Sequence, residues 1–252
     1  MKTVMEQLHE RKSVRIFEKR DVSDEMRHQL FQAAYQAPTA GNMMLYTLLE
    51  ITDQQLKEAL AESCDHQPFI ADAPLVLVFL ADYQRWLDTF AFENLNPRPP
   101  GPGDLMLACA DALIAAQNMV VAAQSLGLGS CYIGDITENC ETVRSLLHLP
   151  EYVFPAAMLV VGHPTRQQLQ RTKPKRFDDR FIRFQNQYRR LSPEEHQEMH
   201  LFQKETHQES AGNIQESLET FFKRKYDSDF AREMNRSVEV YWQAYIKNNK
   251  KL

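Results

Sequence analysis

The chain has 252 residues, 43% of them hydrophobic, which is enough apolar content for one large core or two small ones. A formal net charge of −5 gives bulk electrostatics no reason to draw in nucleic acid or an anionic membrane. Apolar runs fall short of the roughly 20 residues that span a bilayer, and Met1-Lys2-Thr3-Val4-Met5-Glu6-Gln7 lacks the apolar stretch of a secretory signal.

The Val4/Leu8 spacing predicts a helix over 3–12, followed by the strand-like pair Ile16-Phe17. Ser23 is a good N-cap for the next helix, and Asp24 and Glu25 put negative charge where the helix dipole favours it. Met26, Leu30, Ala33, Ala34 and Ala37 form its apolar stripe, and Pro38 stops it. The turn Pro38-Thr39-Ala40-Gly41-Asn42 therefore sits at a helix end, with Gly41 free to take a positive φ. Leu45 to Ile51 reads as a strand and Asp53 to Glu62 as a short helix.

The continuous apolar run Leu75–Ala81 has the pattern of a strand buried on both faces. Pro97 to Gly103 holds four prolines and two glycines, so it reads as a stiff, exposed loop. Asp104 to Leu126 is the longest apolar helix, lined by alanines and apolar nearly all round, which demands burial on most sides. Gly127 caps its end. Ser130–Ile133 and Ala156–Val161 read as strands, with Glu141–Leu147 helical between them.

After Gly162-His163-Pro164 the chain turns polar and basic through Arg190. Ser192-Pro193-Glu194-Glu195 starts a further helix. Residues 203–217 hold few apolar anchors, the composition of a mobile segment. Phe230, Met234, Val238, Tyr241, Trp242 and Tyr245 then recur at helical spacing, as a packed stripe does. A few buried strands among many helices indicate an α+β class with a central sheet.

Four cysteines (Cys64, Cys109, Cys131, Cys140) include no C-x-x-C pair. That argues against a zinc site or a disulfide framework and fits reduced thiols in the cytoplasm. Gly127-Leu128-Gly129-Ser130-Cys131-Tyr132 fails the dinucleotide fingerprint, because Tyr132 stands where its third glycine belongs. His196 and His200 lack the glutamate of an H-E-x-x-H zinc motif, so no metal ligands are expected.

Four stretches point to chemistry. Arg11-Lys12-Ser13-Val14-Arg15 packs three cations and a hydroxyl into five residues. Such a cluster is ordinarily a solvated face, but it can also converge on a phosphate-sized anion. The others are Ala37-Pro38-Thr39-Ala40-Gly41-Asn42, Cys131-Tyr132-Ile133-Gly134 and Lys173-Pro174-Lys175-Arg176-Phe177. In order and spacing these four, spread over roughly residues 1–190, resemble the FMN-dependent nitroreductase family, in its NADPH-dependent nitro/flavin reductase branch.

The resemblance implies a nitroreductase-like fold: a central, mostly antiparallel sheet flanked by helices, in a domain-exchanged homodimer with two tightly bound FMN molecules at the subunit interface. It implies a flavin-binding domain over 1–190; residues 191–252, which carry no matched motif, are expected to form a C-terminal helical extension packing on the dimer. Arg11, Lys12 and Ser13, with Lys173 and either Lys175 or Arg176, would hold the phosphate. Arg15 would lie near N1 and O2 of the flavin ring. Pro38, Thr39, Ala40, Gly41, Asn42 and Met43 would reach the ring from the partner subunit, with backbone N–H groups replacing the serines common in the family. Gln67 would bond the pyrimidine edge, although a lone glutamine is more often a surface residue. Tyr132, Ile133 and Gly134 would pack one face of the ring, with Asp135 pointing away.

The implied activity is hydride transfer from NADPH by way of flavin N5 to nitroaromatics, quinones or free flavin, in ping-pong order and with no catalytic acid or base from the protein. The 2′-phosphate of NADPH would need cations such as Lys204, Lys223, Arg224 or Lys225. The rival readings are an FMN protein with another reductive task, such as dehalogenation or flavin supply, and a non-enzymatic module using its basic patches on an anionic partner.

Overall fold

The computed structural model describes residues 2–207 and 214–247. Its first elements are helices α1 (Val4–Glu10) and α2 (Asp24–Tyr35), strand β1 (Tyr46–Ile51) and helix α3 (Gln54–Ser63). Next come β2 (Leu75–Asp82), α4 (Gln84–Phe92), α5 (Pro102–Ser125), β3 (Gly129–Ile133), α6 (Cys140–Leu147) and β4 (Val153–Gly162). Five helices complete the chain: α7 (Arg166–Gln170), α8 (Asp179–Ile182), α9 (Pro193–His207), α10 (Ile214–Lys225) and α11 (Asp229–Lys247). Part of the segment expected to be mobile, residues 208–213, lies outside the described residues, as does the side chain of Lys204.

One sheet of four strands, in the order β1-β2-β4-β3, organises the core, and every pairing in it is antiparallel. The two central strands are buried on both faces, as the apolar run at Leu75 required. Pro155 falls inside β4, where its missing N–H would break a ladder bond. The register shifts there, between Phe79 and Leu80 of β2, so a bulge absorbs the fault.

Side chains alternate across the sheet. Leu75, Leu77, Phe79, Leu159 and Val161 face α2 and α5, packing on Leu30, Ala112, Ala116 and Met119. Val76, Val78, Met158 and Val160 face the other way, onto Leu60 of α3 and Val143 of α6. Each such fully buried Leu, Val or Phe contributes about 1.5–3 kcal/mol.

By length and composition α5 could cross a bilayer, contrary to the sequence expectation. Its packing against the sheet and α2 makes it instead a core helix. It begins two residues earlier than expected, with Pro102 in its first turn and Asp104 accepting the Gly101 N–H at 2.7 Å. Arg98 donates to both oxygens of Asp104, at 2.5 and 2.9 Å, and this pairing holds the Asp104 carboxyl below its usual range. The proline loop is therefore tied down: Pro100 and Gly101 are buried rather than exposed.

Two compact units emerge: Met1–Arg171 together with Glu233–Leu252, and Thr172–Arg232. These boundaries differ from the division at 190/191 expected from the motifs. The first unit holds the sheet, α1 to α7 and most of α11. The aromatic stripe of α11 packs on that unit, with Tyr241 edge-on to Phe154 and Tyr245 edge-on to Tyr152. In the second unit Arg180 pairs with Glu198 at 2.8 Å and Arg189 with Glu195 at 2.7 Å.

Candidate functional site

The cationic segment 11–15 lies along the outer edge of β3. No strand forms at Ile16-Phe17; Phe17 makes an isolated antiparallel bridge with Pro164, and Ser13 makes a parallel one with Ser130. The Val14 N–H donates to the Ser130 carbonyl at 2.9 Å. This approach needs Gly129, because a Cβ there would stand 2.6–2.8 Å from the Val14 side chain. Arg11 and Ser13 are half-buried and Arg15 is exposed. The Arg11 and Arg15 charges both bear on Cys131, and Arg11 bears on Tyr132 as well. Burial nevertheless dominates at Tyr132 and pushes its phenol up to about 12.

Lys12 is committed elsewhere. Its ammonium donates to the carbonyls of Leu169, at 2.7 Å, and Arg171, where α7 ends. The Arg15 guanidinium lies 6.0 Å from the centre of the Phe69 ring. That contact brings the neighbourhood of Gln67 to the cationic segment. Gln67 is half-buried, and its side-chain amide donates to the Cys64 carbonyl at 2.7 Å, so one of its donors is already used.

The run Tyr132-Ile133-Gly134 ends β3 and enters a 3-10 turn over Asp135–Thr137. Ile133 is buried in the core, while the Tyr132 hydroxyl meets Gln117 of α5 at 3.4 Å. Gly134 is exposed, and a Cβ there would meet nothing within 4 Å, so this backbone borders open space. Glu138 is buried just beyond. Burial first, then the charges of Asp135, Asp65 and Glu233, push its carboxyl up to about 7.

The turn 38–43 is held at a different place. Gly41 and Asn42 both take positive φ, 57° and 56°. Asp111 of α5, only 3% exposed, accepts the Ala40 N–H at 2.9 Å and the Leu45 N–H at 3.1 Å. Thr39 accepts the Met44 N–H at 3.3 Å, and the Trp86 indole donates to the Met43 carbonyl at 2.9 Å. Ala40 and Met43 pack in the cluster of Leu45, Tyr152, Phe154, Tyr241 and Tyr245. Lys173, Lys175 and Arg176 belong to the second unit, in irregular backbone, with Lys175 and Arg176 exposed.

Within one chain, then, Ser13 pairs with Ser130 of β3, the Arg11 charge bears on Cys131 and Tyr132, and Arg15 stands between Cys131 and the Phe69 ring. The Pro38–Met43 turn is anchored apart from them. Asp111, which fixes that turn, and helix α4, which supplies Trp86, were not recognised from sequence. An aspartate amid alanines on an otherwise apolar helix was the one available signal for Asp111. Among the described residues no group of three or more His, Cys, Asp or Glu could hold a metal.

The sequence profile of the Nitroreductase family matches residues 8–163, a span that contains the Arg11–Arg15 segment, the turn, Gln67 and the Tyr132–Gly134 run. The chain belongs to the nitroreductase family. This nitroreductase is 28% identical over 244 residues to an NADPH-dependent oxidoreductase of Staphylococcus epidermidis, across 93% of this chain and 96% of that protein. It is 29% identical over 239 residues to the FMN reductase (NAD(P)H) of Bacillus subtilis, across 90% and 93% of the two chains. Its fold matches the structure of B. megaterium NfrA2 with a TM-score of 0.78 at 28% identity, covering 94% of this nitroreductase and 98% of that protein.

Asp111→Ala should strand the Ala40 and Leu45 N–H groups and cost about 3 kcal/mol in urea unfolding, while Asp88→Ala, at an exposed position on α4, costs almost nothing. Glu138 makes stability fall with pH. Its proton is held more tightly in the folded chain than the ordinary value of 4.5 allows. The neutral form therefore stabilises the fold fully below that value, and the contribution is lost as pH rises through about 7. Glu138→Gln should raise the melting temperature by about 2–4 °C at pH 8 and leave it nearly unchanged at pH 4.5.

Proposed function

We propose that this nitroreductase binds FMN against Arg11, Ser13, Arg15 and the Tyr132–Gly134 run, and carries reducing equivalents from NADPH to nitroaromatics, quinones or free flavin. The observation that carries this reading is the convergence of a guanidinium-rich segment with a backbone that borders open space. Arg11 adds a second point: its Nε is buried and has no hydrogen-bond partner among the described residues. A buried donor of that kind is costly unless something accepts from it, and a phosphate or ring oxygen would. The residues present thus fit an anionic flavin. The names of the two relatives, an NADPH-dependent oxidoreductase and an FMN reductase, agree.

Arg15 would set a fixed positive charge beside the pyrimidine edge of the ring, and Gln67 would offer its remaining donor there. Gly134 would let the backbone approach the ring without a side chain in the way. Lys12 would serve by holding the chain at Arg171 rather than by touching the phosphate. Bound FMN supplies the hydride-accepting atom, so the two substrates would use one pocket in turn, giving ping-pong kinetics and asking no acid or base of the protein.

A second copy of the chain would complete the site. The Pro38–Met43 turn, held rigid by Asp111, would reach the flavin from the partner. Helix α5, which carries Asp111, leaves Met106, Leu107, Leu113 and Ile114 between 40% and 59% exposed, an apolar face suited to a homodimer contact. The four free cysteines suit a reducing, cytoplasmic setting.

The test is direct. Purified protein should be yellow, carry one FMN per chain, sediment at about twice 29.3 kDa, and give parallel double-reciprocal plots with NADPH against nitrofurazone, a quinone or FMN. Colourless protein that no added FMN turns yellow would remove the reading. Arg15→Ala should lower flavin retention and slow reduction by NADPH about tenfold or more; unchanged values would take Arg15 out of the site.

A further inference from the structure

We infer that Ser237, on the C-terminal helix about a hundred residues beyond the flavin segment, is a positioning residue for the backbone at Gly134. The inference rests on the reading that Tyr132–Gly134 lines the flavin.

Ser237 is completely buried, 0% exposed, and both ends of its hydroxyl are used. It donates to the Thr137 carbonyl at 2.6 Å and accepts the Cys140 N–H at 2.9 Å. Without it, that carbonyl and that N–H, at the junction of the 3-10 turn and α6, would lose their partner in a dry place. Thr137 carries the connection onward. Its N–H donates to the Gly134 carbonyl at 3.1 Å, and its hydroxyl lies between that oxygen, at 3.0 Å, and Met234 Sδ of α11, at 2.5 Å. Two links therefore run from α11 to the peptide at which the ring face is read. Because Thr137 and Ser237 are both buried, water cannot replace either link cheaply.

The helix itself is fixed independently of these links. Arg236 reaches Glu141 of α6 through two bonds of 3.0 and 2.9 Å, and Glu233, one turn earlier on the same helix, accepts the Asn139 N–H at 3.3 Å. The buried rings of Tyr241 and Tyr245 hold the next two turns. Ser237 thus stands on a docked helix and transmits that docking to the turn after β3. A hydroxyl serves here because it donates and accepts at once, joining the Thr137 carbonyl to the Cys140 N–H three residues on.

The experiment compares Ser237→Ala with Arg236→Gln, which weakens the docking of α11 but cuts neither link to Gly134. Three quantities are read in each: melting temperature, amide hydrogen exchange at Thr137 and Glu138 in FMN-free protein, and FMN affinity by fluorescence titration. Ser237→Ala should speed exchange at those amides about tenfold or more and weaken FMN binding about fivefold. Arg236→Gln, which breaks an exposed ion pair, should lower the melting temperature less and move neither of the other two. Thr137→Val, which removes the hydroxyl but keeps the Thr137 N–H bond to Gly134, should weaken FMN binding in the same direction though less than Ser237→Ala, and serves if Ser237→Ala does not fold.

Unchanged exchange and affinity in Ser237→Ala and Thr137→Val would overturn the inference, as would equal changes in Arg236→Gln. Wild-type protein that takes up no FMN would overturn the cofactor reading and the use assigned to the turn. The exchange data would still decide whether Ser237 holds it.

Discussion

The candidate site depends on one close approach of backbone to backbone. The segment 11–15 reaches its position by laying Val14 against Ser130 at the edge of β3, over a glycine that leaves no room for a side chain. That contact sets Arg11 and Arg15 at the edge of the sheet, where both charges bear on Cys131 and that of Arg11 on Tyr132. It also closes the exposed edge of β3, which would otherwise present unpaired N–H and carbonyl groups. The sheet behind it is rigid because β2 and β4 are buried on both faces, so the cationic edge is carried on an inflexible support.

Three further contacts fix the surroundings, and each uses a polar group where the chain has no regular structure to rely on. Asp111 holds the turn at Ala40, Lys12 holds the exit of α7, and Ser237 holds the turn after β3. All three act on backbone groups that secondary structure leaves unpaired. Their positions in the sequence are far from what they hold, by 71, 157 and 100 residues. The long separations explain why the loops can be both irregular and well placed.

The permissive side of the arrangement follows from the same layout. The backbone at Gly134 borders open space: a Cβ there would meet nothing within 4 Å. On the proposed reading, a flavin seated there would be gripped by the fold, and the choice of electron acceptor would be left to whatever fits above it.

Much of the fold was legible in the residues themselves. Periodicity located α2, α3, α5 and α6 and all four strands to within a few residues, because each buries a continuous face and must be apolar there. The Arg11–Arg15 segment, the Gly41 turn and the Tyr132–Gly134 run stood out in the sequence through the family resemblance, and Gly41 through the positive φ that its tight bend takes. What the linear order could not hold were the long-range partners. Lys12 looked equivalent to its cationic neighbours until the fold set its ammonium against the end of α7. Pro100 and Gly101 looked exposed until Arg98 and Asp104 folded the loop inward. Asp111 and Ser237 resemble ordinary helix residues, and only packing shows that one carboxylate and one hydroxyl stand where distant backbone groups need partners. Local sequence sets which elements form; which buried polar groups meet is decided only when those elements pack.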